Sequence, residues 1–150
     1  MRVAFDSNVV IYAEGVEDRA KRDIALTIAS ALDKSELILP VQSLGETLVW
    51  LVKKGRRTLA EALNRVSDWI DQGEIQPTDE NVFNGAIELF AKHKLQVWDA
   101  VVLSAASVAR ASILLSEDMQ DGFNWRGVTI RNPFLSKLSP EVQKLLRQRP

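Results

Sequence analysis

The chain has 150 residues, 46% hydrophobic and 26% charged, with 19 basic and 20 acidic side chains and a net charge of −1. It has no cysteine and one histidine, His93, which excludes disulfides, thiolate zinc sites, cysteine nucleophiles and any chemistry that needs two imidazoles. The near-zero charge excludes holding nucleic acid by bulk charge alone, so such a partner must meet local basic patches.

Val3 to Phe5 reads as a short buried strand, after which Asp6, Ser7 and Asn8 interrupt an apolar run that Val9 to Tyr12 resume. From Asp18 to about Ala31, apolar residues including Ala20, Ile24, Ala25 and Ile28 recur at helical spacing. Leu37 to Leu39 predicts a second strand, closed by Pro40. The stretch SLGE, Ser43 to Glu46, has the form of a capping box and predicts a helix beginning there and stopping at Gly55. TLAE, Thr58 to Glu61, predicts another capping box, with a helix ending at Gly73.

Ile75 to Pro77 predicts a brief strand, and Thr78 or Asp79 caps a helix running to about Lys92. The apolar, alanine-rich run from Trp98 to Ala109 predicts a buried helix. Ile113–Leu115 and Val128–Ile130 predict strands. Ser139, Pro140 and Glu141 open a C-terminal helical tail, 139–149. Short β-branched runs alternating with helices predict an α/β fold with a mainly parallel sheet. No repeat or long linker divides the chain, so one domain is expected over 1–150. No window approaches the ~20 apolar residues of a membrane span, and no leader peptide is evident. A soluble, cytoplasmic protein with no membrane partner is the expectation.

Ligands of open α/β sheets bind at the carboxyl ends of the strands, near the point where strand order reverses. Asp6 follows the first strand, and Glu117, Asp118 and Asp121 follow the Ile113–Leu115 strand. Glu46 is expected in the first turn of the helix after the second strand, and Asp99 near the start of the Trp98 helix. Each has a plainer account. Asp6 suits a helix N-cap, Glu46 a capping box, and Asp118 and Asp121 a turn before Gly122. Asp99 resists one, because a carboxylate among VWDAVVL needs something cationic against it.

Carboxylates gathered at one edge repel and raise one another's pKa, and hard divalent cations relieve that repulsion through oxygen ligands. The acids therefore suggest a carboxylate-only Mg²⁺ or Mn²⁺ site, whose natural chemistry is phosphoryl transfer.

These stretches resemble the motifs of PIN-domain ribonucleases. FDSNVVIYA is similar to the first motif, with Asp6, SLGETLVW to the second, with Glu46, and LQVWDAVVLSAA to the third, with Asp99. LLSEDMQDG followed by GVTIRNPF resembles the fourth, with Ser116 and Asp118, while Asp121 corresponds to a further acid common in the family. The motifs run in order from residue 2 to about 134. The resemblance implies a three-layer α/β/α sandwich with a central, mainly parallel sheet. It implies a metal-dependent endoribonuclease, with Asp6, Glu46, Asp99 and Asp118 as catalytic metal ligands, Asp121 as a further one, and Asn8 and Ser116 in support. Between Asp118 and Asp121 as the fourth ligand, Asp118 is favoured.

Many small family members are VapC-type toxins, dimeric and inhibited by a cognate antitoxin, so an RNA substrate, an antitoxin and a homodimer are expected. A non-toxin PIN nuclease of RNA processing and a non-catalytic PIN-fold binding module are the alternatives. A haloacid-dehalogenase-type phosphatase would need a second Asp where Asn8 stands, and no G-x-G-x-x-G marks a dinucleotide site. Lys53, Lys54, Arg56, Arg57, Arg110, Arg126 and Arg131 are candidate phosphate contacts. Trp50, Trp69, Trp98 and Trp125 read mostly as core, with Trp125, in a loop, the one best placed to touch a base or partner, and His93 reads as a surface residue.

Overall fold

The computed structural model describes residues 1–15 and 17–148. Its elements run β1 (Val3–Phe5), α1 (Ser7–Ala13), α2 (Arg19–Ser30), β2 (Leu37–Pro40), α3 (Val41–Lys53), α4 (Leu59–Gln72), β3 (Glu74–Gln76), α5 (Glu80–His93), α6 (Val97–Val108), β4 (Ile113–Leu115), β5 (Asn124–Trp125), β6 (Val128–Arg131) and α7 (Pro140–Arg147). The six strands form one sheet in the order β3-β2-β1-β4-β6-β5, parallel except for the β5–β6 pair. The expected α/β/α sandwich is the fold found.

The two faces of the sheet follow from strand periodicity, since successive side chains point to opposite sides. Val3, Phe5, Leu37, Leu39, Ile113 and Leu115 pack on one face with α1, α2, Trp69 of α4 and α7. Ala4, Ile38, Leu114 and Ile130 pack on the other with α5 and α6. On that second side the two helices approach closely. A Cβ on Gly85 of α5 would lie 2.3 Å from Ser104 Oγ of α6, so only glycine fits there.

The chain lays down β1, β2 and β3 outward in one direction and β4 and β6 in the other, so strand order reverses between β1 and β4. Phe5 registers with Leu115 there, which sets Asp6 and Ser116 side by side at the carboxyl ends. This is where a doubly wound sheet opens a crevice for ligands.

Several expectations change. The SLGE stretch is no capping box. Helix α3 begins at Val41, directly after β2, with Pro40 as N-cap and no side-chain cap bond. Ser43 is therefore already helical and buried, its Oγ without a partner among the described residues, and Glu46 lies in the second turn. Beyond α3 the left-handed residue is Arg56, at φ 52°, rather than Gly55. The third strand is Glu74–Gln76 rather than Ile75–Pro77, because proline has no N–H for the ladder.

Trp125 is core, as read, but it lies in a strand rather than a loop. Arg126 and Gly127, both at positive φ, make a two-residue hairpin turn that folds Trp125 into the core at 7% exposure. Trp98 is the exposed tryptophan, at 55%, although α6 is buried from Ala100 to Ala106. The expected C-terminal tail is packed: Val142 and Leu145 of α7 sit in the core. Residue 149, the last of that predicted tail, lies outside the described residues.

Candidate functional site

Asp6 ends β1 in extended conformation and caps α1, its Oδ1 accepting a hydrogen bond from Ser7 N at 2.8 Å. Its Oδ2 accepts from Ser116 Oγ at 2.8 Å and from Asn8 Nδ2 at 3.2 Å. The carboxyl is 4% exposed. Burial pushes its pKa from an ordinary 3.8 up to about 6; the bonds from Ser116 and Ser7 pull it down, and the charges of Asp99 and Glu46 raise it further.

Asn8 and Ser116 hold this carboxylate to its neighbours. The Asn8 amide also donates to Asp118 Oδ2 at 3.2 Å, and its carbonyl accepts from Glu117 N at 3.1 Å. Ser116, fully buried after β4, accepts from Asp118 N at 3.2 Å and Met119 N at 3.3 Å. The turn that presents Asp118 is thus built around the Ser116 hydroxyl.

Glu46 reaches the group from α3. Its Oε2 accepts from Ser7 Oγ at 2.6 Å and its Oε1 from Gln42 Nε2 at 2.7 Å. Gln42 escaped the sequence reading, although it stands four residues before Glu46 on the same helical face. Asp99, third residue of α6, is half-buried; burial raises its pKa first, and then the charges of Asp118 and Glu46. Among the described residues no hydrogen-bond donor or protein cation meets its carboxylate.

Asp6, Glu46, Asp99 and Asp118 are therefore close enough to repel one another, and the side-chain donors that touch them are neutral. The other acids of the β4–β5 segment are engaged elsewhere. Asp121 accepts from Asn132 N at 2.8 Å and lies 3.7 Å from Arg131. Glu117 pairs with Lys21 at 2.7 Å, and Lys21 also donates to Tyr12 at 3.2 Å. Two expected phosphate contacts are likewise spent within the chain, Arg126 on Glu88 and the Trp125 ring, and Arg131 on Glu141 and Asp121. Lys53, Lys54, Arg56 and Arg110 remain exposed.

The donor set suits a hard dication: oxygen ligands, mutual repulsion and no protein cation to relieve it. Among the described residues no three carboxylate or imidazole groups lie close enough to share one ion directly. Mg²⁺ is usually held by one or two carboxylates and several waters, so it does not require three protein carboxylates on one ion.

A PIN domain family model matches residues 3–121. No curated protein matches the chain. Among solved structures, a toxin–antitoxin complex from Klebsiella pneumoniae is similar, with a TM-score of 0.65 at 19% identity, covering 85% of this chain and 95% of that one. VapBC2 from Rickettsia felis, bound to a DNA fragment from its promoter, gives a TM-score of 0.65 at 13% identity, covering 88% and 98%. VapC20 from Mycobacterium tuberculosis, a toxin that cleaves the sarcin-ricin loop, gives 0.60 at 14% identity, covering 75% and 86%. At such identities the likeness is one of fold.

Proposed function

The chain belongs to the PIN domain family, and from that premise we propose that it is a metal-dependent endoribonuclease, the toxin of a type II toxin–antitoxin pair. One observation carries the nuclease reading: at the switch point of the sheet, the pKa values of Asp6 and Asp99 are raised by burial and by neighbouring carboxylates, Glu46 and Asp118 among them, with only neutral side-chain donors in the group. Asp6, Asp99, Asp118 and Glu46 would hold Mg²⁺ or Mn²⁺. Such an ion supplies an activated water and charge compensation for the phosphoryl group under attack.

The chain's own residues supply position. Asp6 is fixed by three hydrogen bonds and by the strand that carries it. Asn8 sets the spacing between Asp6 and Asp118. Glu46, whose two oxygens rest on Ser7 and Gln42, has lone pairs left to accept a hydrogen bond from an attacking water. Asp121 shapes the segment after Asp118 through its bond to Asn132.

The toxin reading draws on the fold neighbours, one described as a toxin–antitoxin complex, one as VapBC2 on promoter DNA and one as a toxin that cleaves the sarcin-ricin loop. A largely apolar groove of about 420 Å³ along α3, lined by Gly45, Val49 and Trp50, runs up to Glu46 and would suit a partner that inhibits the site. Exposed Phe83, Ile87 and Phe90 make an apolar stripe on α5 that suits pairing of two copies in the cytoplasm.

The decisive experiment compares wild type with Asp99→Asn. Calorimetry with Mn²⁺ should show binding in the wild type and a loss of more than roughly tenfold in affinity in the variant. RNA cleavage should need the metal and vanish in Asp99→Asn, while the variant's thermal midpoint stays the same or rises because a repelling charge is gone. Wild-type cleavage by the variant would refute the assignment.

A further inference from the structure

We infer that the cavity beside the acids binds the base of the nucleotide next to the cleaved phosphodiester, an inference that rests on the nuclease reading above. Asp99 and Asp118 line part of a cavity of about 330 Å³, within the range of small-ligand pockets. The rest of its lining comes from the α5–α6 turn and from the segment after β4. No role in holding a metal falls to these other residues.

Their chemistry fits a base. Met119 and Ile130, both buried, give the cavity an apolar floor. Phe123 is half-buried and sits edge to face with His93, ring centroids 5.4 Å apart and planes at 65°. Gln96 and Gln120 line the cavity and are exposed, and neither side-chain amide bonds to a described residue. A carboxamide offers both donor and acceptor, which matches the mixed edge of a nucleobase rather than a phosphate, which only accepts. Lys94, held left-handed at φ 56° where α5 ends, adds a cation at the same cavity for the adjoining phosphate.

Unpaired RNA is recognised in this manner, by bases splayed onto aromatic rings and read at their edges by polar side chains. Because Asp99 and Asp118 share this cavity with Phe123, Gln96 and Gln120, a nucleotide can place its phosphate at the carboxylates and its base against the ring and amides. The consequence is a base preference beside the cut.

The test uses wild type, Phe123→Ala, Phe123→Leu, Gln96→Ala and Gln120→Ala on Mn²⁺-dependent cleavage of oligoribonucleotides carrying each base in turn beside the cut. Phe123→Ala should raise KM roughly tenfold with little change in kcat. Phe123→Leu keeps the packing and loses the ring, so it decides the matter if the alanine protein is unstable. The glutamine variants should flatten the base preference. Unchanged KM and preference in every variant, with an active wild type, would overturn the inference. If wild type cuts no RNA, the nuclease reading fails by itself. Nuclear magnetic resonance of the wild type with the four nucleoside monophosphates then judges the cavity: shifts of the Gln96 and Gln120 amides support it, and silence overturns it.

Discussion

Asp6 serves two demands that oppose each other. As N-cap and hydrogen-bond acceptor it favours the ionised form, whereas burial beside Asp99 and Glu46 favours the neutral one, and burial wins. Its folded pKa, about 6, stands above the unfolded 3.8, so between those values the native state holds more protons than the unfolded chain. The contribution of Asp6 to stability therefore falls as pH rises through that window, by up to roughly 3 kcal/mol above pH 6. In chelator, the thermal midpoint of wild type minus that of Asp6→Asn should drop between pH 4 and 6. Added Mn²⁺ should shrink that drop, since the ion binds the ionised carboxylate and releases its proton; a difference that climbs with pH in chelator would contradict the assignment. Asp6 was legible because a charge breaks an apolar run. Gln42 was not, since a neutral amide on an amphipathic helix gives no such signal. Trp98 was misread as core because it stands at the open start of a helix buried from Ala100 onward, and Trp125 was placed in a loop because a two-residue strand is too short to show periodicity.

At the level of single elements, two stretches with the same Ser/Thr-x-x-Glu pattern behave differently. In α4, Thr58 Oγ1 accepts from Glu61 N at 3.2 Å while Glu61 reaches back to Thr58 N, a complete capping box. In α3, the strand passes straight into the helix at Pro40, three residues too early for Ser43 to cap anything. Thr58→Ala should thus destabilise by about 1 kcal/mol. Ser43→Ala, which removes a buried hydroxyl lacking a partner among the described residues, should be neutral or stabilise by up to about 1 kcal/mol. Urea unfolding of both variants checks the pair, and a loss for Ser43→Ala equal to that for Thr58→Ala would restore the sequence reading. Helices were otherwise legible from spacing, as with the stretch after Asp18, and from caps, as with Asp79 and Ser139. Helix α3 misled because proline supplied the start through backbone shape, with no side-chain cap to announce it.

For the molecule as a whole, the α/β class and parallel sheet were legible, yet strand order was not, because nothing local says which three-residue strand lies beside which. The proximity of Asp6 and Ser116 depends on that order. At this scale the toxin reading also makes its prediction: expression of wild type should arrest growth, with relief by Asp99→Asn or by the cognate partner. Unimpeded growth at high yield of wild type would count against it. The same topology has a temporal side. Asp6 and its Ser116 donor are 110 residues apart in the chain, and β1 pairs with β4 only after nearly everything between them has been made. At roughly 5–20 residues per second of synthesis, the ribosome holds an incomplete set of acids for about 5–20 s. Under the proposed ribonuclease reading, a nascent chain that has not reached Asp118 carries no complete set of acids, so activity waits on the strand that closes the switch point.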